Sequence, residues 1–443
     1  MIEKVFFKTM NSLGPYEKNP HLAVAVSGGC DSLCLAILAK KWVDMKGGRI
    51  TALIVDHSLR KTSNQESKKT QNTLKKKKIF SKSFKWDLSK KPKNGLQEKA
   101  REFRYNIFEE WCYKKNIKYL LVAHHFEDQK ETFIMRLNSN SNIYGLACMP
   151  KVLLKKEIKI LRPLLDLKKK VIIDYLKEKK VNWIEDPSNN SLKYSRNRLR
   201  KILPKLEEKG LTDSSFKKIL KRAQKERKKI ENKFSTWLIK NVKIHTLGYA
   251  AVNFKSLKLL DKDNFIFIFS KLLNIISGSF YGPKSKYVYN FYKKIKSNEI
   301  VNKTNLGGCH IFFFKKKMCI CREVFKKTRR QEINFKFNKI IWDNRFEIDD
   351  KKEIFLKRKL GKSVFIEQLQ KEGWNEISLK NEKFKREITI PNKIILSLPA
   401  VKNKKNDVLY VPHLQYYSNI RSKREYSNMN FLFKPRLTLS NIY

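Results

Sequence analysis

The sequence predicts an α/β protein whose N-terminal part is a doubly wound parallel sheet, followed by a helical domain and a small α+β C-terminal domain. Three observations carry the first part. Apolar runs at 23–26, 50–55 and 119–123 are short and continuous, as strands buried on both faces are. Each is followed by a helical pattern, so strand and helix alternate. The first run also passes through two glycines straight into a helix, the local form of a βα unit.

Taken in order, residues 1–21 hold a short amphipathic helix with Val5, Phe6, Met10 and Leu13, ended by Gly14-Pro15. The strand at 23–26 leads through Ser27-Gly28-Gly29-Cys30-Asp31-Ser32 into a helix from about Asp31 to Trp42. Leu33, Leu35, Ala36, Leu38 and Ala39 make that helix mostly apolar, as packing on a sheet requires. The second strand, 50–55, runs into Asp56-His57-Ser58-Leu59-Arg60. Polar residues beyond the carboxyl end of a parallel strand are where open α/β sheets hold ligands. A polar helix over about 63–78, a third strand over 79–86 and a helix from Leu96 to about Lys115 follow. The fourth strand, 119–123, enters His124-His125-Phe126-Glu127-Asp128-Gln129-Lys130-Glu131-Thr132, which reads as the start of another helix.

The glycine turn reads as a phosphate cradle. Adjacent glycines permit backbone geometry that side chains forbid, so several N–H groups can converge on one anion. Ser27, Ser32 and the helix N-terminus add hydroxyls and a positive dipole end. The loop contains neither G-x-x-x-x-G-K-[ST] nor G-x-G-x-x-G. An acidic Asp31 in such a loop calls for a cation such as Mg2+ between it and the phosphate. His124 and Asp128, four residues apart, are expected to share a helix face turned toward the strand ends, so that Asp128 faces Asp31. Glu131 and Thr132 fall on or near that face. The plainer alternatives are a Gly-Gly turn with Asp as helix cap, and a helix start whose acids merely suit the dipole.

Composition bounds the function. A chain of 443 residues is expected to form two or three domains, and 41% hydrophobic residues exclude a disordered chain. Lys and Arg number 98 against 42 Asp and Glu, a net charge of +56, which points to a polyanionic partner and first to nucleic acid. A compositional bias toward Lys, Asn, Ile and Phe is the alternative, but it does not explain the shortage of acids. No apolar run of about 18 residues exists, so no transmembrane helix is expected. The first strand starts too early for a signal or transit peptide to be expected. The 7 cysteines include no C-x-x-C, so neither zinc nor a disulfide framework is expected, and a reducing cytoplasm fits. Cys319-x-Cys321 lies in an alternating apolar stretch and reads as structural.

The S-G-G-x-D-S loop resembles the pyrophosphate-binding loop of the PP-loop ATP pyrophosphatases, whose fold is adenine nucleotide α-hydrolase-like. With His124-x-x-x-Asp128-Gln129-x-Glu131-Thr132 added, the chain resembles the tRNA(Ile)-lysidine synthetase family of that superfamily. Gln97-Glu98-x-Ala100-Arg101-x-x-Arg104-Tyr105 and Leu161-Arg162-Pro163-Leu164-Leu165 agree in order. So do Trp183-Ile184-Glu185-Asp186-Pro187-Ser188-Asn189 and Ser195-Arg196-Asn197-x-x-Arg200. The match spans about residues 20–205, and the last two blocks are narrower than the first loop. Asn138-Ser139-Asn140-Ser141-Asn142 replaces the family's glycine-rich segment, and Cys30 occupies the loop's variable position.

The resemblance implies ATP-dependent ligation of L-lysine to C2 of the wobble cytidine of the AUA-reading isoleucine tRNA, with a CAU anticodon. An adenylated cytidine is the intermediate, and the products are lysidine, AMP and pyrophosphate. It implies ATP and Mg2+ as cofactors, with Asp31 and Asp128 as metal ligands and Ser27, Gly28, Gly29, Cys30, Asp31 and Ser32 around the pyrophosphate. Arg104, His124 and Arg196 would neutralise the α-phosphate or hold the base, and Asp56 and His57 lie where related proteins bind adenosine. Glu131, Glu185 and Asp186 are candidates for lysine, without assignment among them. A homodimer stays open. A PP-loop tRNA thiolase and a non-catalytic RNA-binding protein on a PP-loop scaffold are the rival readings.

The expected division is a catalytic domain at 1–205, a basic, mainly helical tRNA-binding domain at 206–300 and an α+β domain at 301–443. In the second, Lys217–Lys240 is a strongly basic helix and Phe265–Ile276 an apolar one. In the third, 311–314, 318–321 and 333–337 alternate like strands. Further on, 364–372 is expected as a helix closed by Gly373-Trp374, and 394–398 and 408–411 as strands. Residues from about 418 are expected to be poorly ordered.

Overall fold

The computed structural model describes residues 1–56, 63–86, 96–139, 141, 143–155, 158–185, 199, 203, 207–279, 282–297, 299, 303–324, 330–333, 339–350, 364–380 and 389–435. Two compact units divide the chain, the first Met1–Glu231 and the second Asn232–Ser440.

The first unit is built on a six-stranded sheet of β1 (His21–Val26), β2 (Arg49–Asp56), β3 (Phe80–Lys85), β4 (Tyr119–Leu121), β5 (Val152–Leu154) and β6 (Lys159–Leu161). Its order is β3-β2-β1-β4-β6-β5, parallel except where β5 runs antiparallel to β6. Val24 on β1 is paired with Ala52 on one side and Leu121 on the other. Strand order reverses between β1 and β4, so the loops leaving both strands open at the same crevice, which is the ligand position of such sheets. The helices α1 (Ile2–Ser12), α2 (Cys30–Asp44), α3 (Ser63–Lys76), α4 (Leu96–Lys114), α5 (Phe126–Asn138), α6 (Ile143–Leu146) and α7 (Lys169–Glu178) complete the unit. The expected strand–helix alternation through residue 123 is present. The β5–β6 pair was not expected, because strands of three residues each are too short to show a period. Ile2, Phe6 and Met10 of α1 and Leu13 just after it enter the core, whereas Val5 is 43% exposed because it lies off that stripe.

The long helix α8 (Asp213–Asn241) starts in the first unit and ends in the second. The second unit continues with α9 (Phe254–Lys258), α10 (Lys262–Ser277) and α11 (Ser285–Lys296). An antiparallel sheet of β7 (Val242–Ile244), β8 (Tyr249–Val252), β9 (Thr304–Leu306), β10 (Cys309–Phe314) and β11 (Lys317–Arg322) follows, in the order β7-β8-β11-β10-β9. Cys319 and Cys321 are buried on β11. A second five-stranded sheet, β12-β15-β16-β17-β18, and a three-stranded one, β13-β14-β19, are formed by β12 (Gln331–Glu332), β13 (Lys339–Trp342), β14 (Phe346–Asp350), β15 (Phe365–Gln368), β16 (Pro399–Lys402), β17 (Val408–Val411), β18 (Tyr416–Tyr417) and β19 (Met429–Phe433).

Three expectations for the C-terminal part are corrected. Residues 364–372 are not one helix: β15 occupies 365–368, and α12 (Gln370–Lys380) begins after it, so only 370–372 of the expected helix are helical. Ile366 pairs with Val401, and the buried Glu367 meets Lys402 Nζ at 2.9 Å, a cross-strand fit that outweighs local helix preference. Gly373 is no turn but a contact point inside α12, where a Cβ would lie 2.9 Å from Leu369 Cδ1. Residues 394–398 are not a strand either, since Pro391 caps the short helix α13 (Asn392–Leu396) and only 399–402 extend. The stretch from 418 is ordered through 435: Asn419 caps α14 (Ile420–Tyr426), accepting from Ser422 N at 2.8 Å, and β19 pairs with β14. Residues 436–443, and 334–337 of the expected strand at 333–337, lie outside the described residues. Among the described residues, no helix is long and apolar enough to cross a membrane.

Candidate active site

The turn between β1 and α2 is held from both sides. Gly28 has φ +89°, a conformation that side chains disfavour, and a Cβ there would stand 2.4 Å from Thr70 Oγ1 and 3.1 Å from Ile184 Cδ1. Its carbonyl accepts from Ile184 N at 3.0 Å. Gly29 differs from the expectation of a paired requirement. Its φ is −76°, and the nearest atom to a Cβ would be Ser27 Oγ at 3.8 Å. Its open side is what leaves room for a ligand at the start of α2. The buried Ser32 Oγ accepts from Ser27 N at 3.1 Å and donates to Gly29 O at 3.0 Å, so this hydroxyl braces the loop from within. Ser27 itself is exposed.

A cavity of about 450 Å3 opens in front of this turn, a size suited to a nucleotide. Ser27, Gly29, Asp31 and Ser32 line one wall, and the buried Asp56 stands at the end of β2. From α4 comes Arg104, and from the segment after β4 comes His124. Among the described residues Arg104 has no carboxylate at ion-pair distance, and burial pulls its pKa below the ordinary value. A cation in that state is served by an anionic ligand.

Asp31 and Asp128 converge, but through a residue other than the one expected. His125 Nε2 lies 3.7 Å from Asp31 Oδ2 and 3.6 Å from Asp128 Oδ2. His125 Nδ1 is 2.9 Å from Glu127 Oε2, which also accepts from Lys169 N at 3.0 Å. Lys169 Nζ stands 3.8 Å from Asp31 Oδ2. Burial lowers the pKa of His125, but the hydrogen bond to Glu127 and the charges of Asp128 and Asp31 prevail and raise it.

His124 is not on the helix, so it and Asp128 do not share a helix face as expected. The reason is a capping box: Asp128 Oδ2 accepts from His125 N at 3.0 Å, which makes His125 the cap and leaves His124 in the connector, on the cavity wall. The spacing His125-x-x-Asp128 was the available signal, obscured because histidine is an unusual cap. Glu131 is wholly buried on α5, Glu185 is exposed, and Thr132 Oγ1 returns to Asp128 O at 2.7 Å. His57, Asp186 and Arg196 lie outside the described residues.

Among the described residues, no three or more His, Cys, Asp or Glu groups are disposed to hold a metal by themselves. Two partly exposed carboxylates with hard oxygen donors, facing one point beside a phosphate-shaped turn, suit an ion that keeps waters and shares phosphate oxygens, as Mg2+ does. Cys30 is buried, and burial followed by the charge of Asp31 pushes its thiol up to about 11. Burial pushes Cys112 and Cys148 up to about 12. All three are uncharged thiols at neutral pH.

A profile of the PP-loop domain matches residues 2–206. The chain is 33% identical over 432 residues to the tRNA(Ile)-lysidine synthase of Rickettsia felis (strain ATCC VR-1525 / URRWXCal2), covering 95% of each. It is 28% identical over 445 residues to the tRNA(Ile)-lysidine synthase of Orientia tsutsugamushi (strain Boryong), covering 98% of each. Among solved structures it is similar to the U34-tRNA thiolase NcsA from Methanococcus maripaludis, with TM-score 0.44 and 16% identity over 51% of this chain and 78% of that one. A likeness of that strength carries no argument.

Proposed function

The chain belongs to the tRNA(Ile)-lysidine synthase family, and from that premise we propose that it is an ATP-dependent ligase that joins L-lysine to C2 of the wobble cytidine of the CAU-anticodon isoleucine tRNA. The observation that carries the reading onto this chain is the meeting of Asp31 and Asp128 at one imidazole, at the sheet's reversal point and beside the Gly28–Gly29 turn.

In the first step the C2 oxygen of cytidine attacks the α-phosphate of ATP, and the bond to the bridging oxygen breaks as pyrophosphate leaves. In the second the lysine ε-amine attacks C2, a C–N bond forms, the C2–O bond breaks, and AMP departs while the amine loses a proton. Such chemistry asks mainly for positioning and charge neutralisation. The N–H groups of the turn and Ser27 would receive the pyrophosphate, with Cys30 at the variable position needing only to be small. Asp31 and Asp128 would hold Mg2+, which when bound neutralises charge on the leaving group. Arg104 and His124 would face the α-phosphate or base, joined by Arg196 from the family pattern, while Asp56 and His57 would lie toward adenosine. Glu131, Glu185 and Asp186 stay unassigned for lysine. Residues 1–205 form the catalytic domain in this reading, which places the enzyme in a reducing cytoplasm.

Helix α8 supports the RNA-binding part. Phe216, Leu220, Ala223, Phe234 and Leu238 are buried along one side, while Lys217, Lys218, Lys221, Arg222, Lys225, Lys228 and Lys229 are exposed along the other. Such a basic face fits a phosphate backbone. We therefore expect tRNA affinity to fall steeply with salt, and each Lys→Gln change at 217, 218, 221 or 228 to reduce the log–log slope by about one. A slope that stays the same when all four are changed assigns the grip to another surface.

Sulfur delivery is the rival chemistry, and the uncharged thiols, Cys30 and Cys112 of them buried, speak against it. Cys30→Ala, Cys112→Ala and Cys148→Ala, alone or together, are expected to keep activity within about threefold wherever the protein folds, because no step uses a thiol. A folded triple variant that is inactive, with sulfur in the wild-type product, moves the assignment to a thiolase. Catalysis itself is separated from RNA binding by pyrophosphate release: it should require both ATP and the CAU-anticodon tRNA, and a tRNA-binding protein that releases none is not this enzyme.

A further inference from the structure

Helix α5 carries Asp128 on one side and, two residues on, a lysine whose side chain is only 4% exposed, Lys130. Lys130 Nζ forms ion pairs with Glu207 and with Asp213, the first residue of α8. Asp213 also meets Lys168 Nζ at 2.5 Å. Lys168 is the residue from which α7 starts, and the next amide, Lys169 N, donates to the Glu127 carboxylate that holds His125. A chain of polar contacts thus runs from the start of the basic helix to the residue between Asp31 and Asp128.

Adhesion between α5 and α8 does not need this lysine. Phe126, Phe133, Phe216 and Leu220 already form an apolar cluster, with the Phe216 ring 5.6 Å from Phe126 and 5.4 Å from Phe133. Apolar contact is non-directional and tolerates sliding, and a buried ammonium is costly to desolvate. What the ion pairs add is register: with both carboxylates on Lys130, α5 has one position along and around its axis relative to α8. Gln129 fixes the neighbouring face, donating to Met149 O at 2.8 Å and accepting from Met149 N at 2.9 Å.

We propose that Lys130, clamped by Asp213 and Glu207, is a positioning residue for base adenylation, setting α5 and with it Asp128 against the start of α8. This rests on the ligase reading above. Lys130→Met keeps the stem against Phe126 and removes the charge. It is expected to lower kcat for tRNA-dependent pyrophosphate release about tenfold or more, because small misplacements of a reacting group are costly. KM for tRNA should change by less than about threefold, since the exposed lysines of α8 are untouched. Lys130→Arg should recover most of kcat, Asp213→Asn should show the same fall, and the double variant should be no worse than either. A folded Lys130→Met enzyme with wild-type kcat overturns the clamp, as does a loss that arginine does not restore. Asp213→Asn, at a partly exposed site, decides the matter if Lys130→Met does not fold. Hydrogen exchange over 126–131, faster in the variants, reads the clamp without any activity, so a wild type that releases no pyrophosphate overturns the ligase reading separately. Unchanged exchange overturns the clamp.

Discussion

Asp31→Asn and Asp128→Asn are each expected to reduce tRNA-dependent AMP formation by about a thousandfold, with tRNA affinity staying within about twofold of wild type. Each exchange keeps the size of the side chain and removes one negative charge from the pair that faces His125 Nε2 at 3.7 and 3.6 Å. A loss of several kcal/mol of charge neutralisation at the departing pyrophosphate is worth about that factor in rate. Neither residue lies on the basic face of α8, which is why RNA binding is spared. The asparagine at 128 still offers an oxygen to the His125 amide, so the capping box survives and helix loss is not the cause. Near-normal AMP formation by either variant rules out a two-carboxylate metal site.

Gly28→Ala and Gly29→Ala are expected to fail differently. At Gly28 the new methyl would meet Thr70 Oγ1 at 2.4 Å in a backbone of φ +89°, so Tm falls and activity drops about a hundredfold. At Gly29 the methyl meets nothing nearer than 3.8 Å, so Tm stays close to wild type. It nevertheless occupies the open side of the turn, and KM for ATP should rise at least about tenfold. Thermal melting beside ATP saturation curves separates the two. Equal loss of Tm in both variants would mean that the turn is only a packing element, and wild-type KM in Gly29→Ala would mean that phosphate does not sit there.

Those two glycines also mark the boundary of what a linear chain of residues reveals. The strand–turn–helix unit is legible because apolar burial, turn chemistry and helix pattern agree over Ala23–Trp42. The division of labour between Gly28 and Gly29 is not, because it depends on Thr70 and Ile184, distant in sequence. Likewise Asp31 and Asp128 are brought together by topology: β1 and β4 are neighbours where strand order reverses. His125 was missed in favour of His124 because one residue of helix start decides which imidazole turns inward, and helix ends are the least certain feature of a sequence. Errors in the C-terminal part had another source. Ile366 and Glu367 form a strand because Val401 and Lys402 pair with them, a tertiary effect that local propensity does not contain. Lys130 was hidden too, since a lysine in a chain with 98 basic residues gives no hint of burial.

The central claim is that this chain activates a tRNA base with ATP and delivers lysine to it. Mass analysis of nucleosides from CAU-anticodon isoleucine tRNA, incubated with the full-length protein, ATP, Mg2+ and isotopically labelled L-lysine, tests it in one measurement. The expected result is a single modified cytidine that carries the whole labelled lysine, formed with one AMP per nucleoside and absent when ATP is omitted. Unmodified cytidine despite bound tRNA, or a product that contains sulfur and no label, contradicts it.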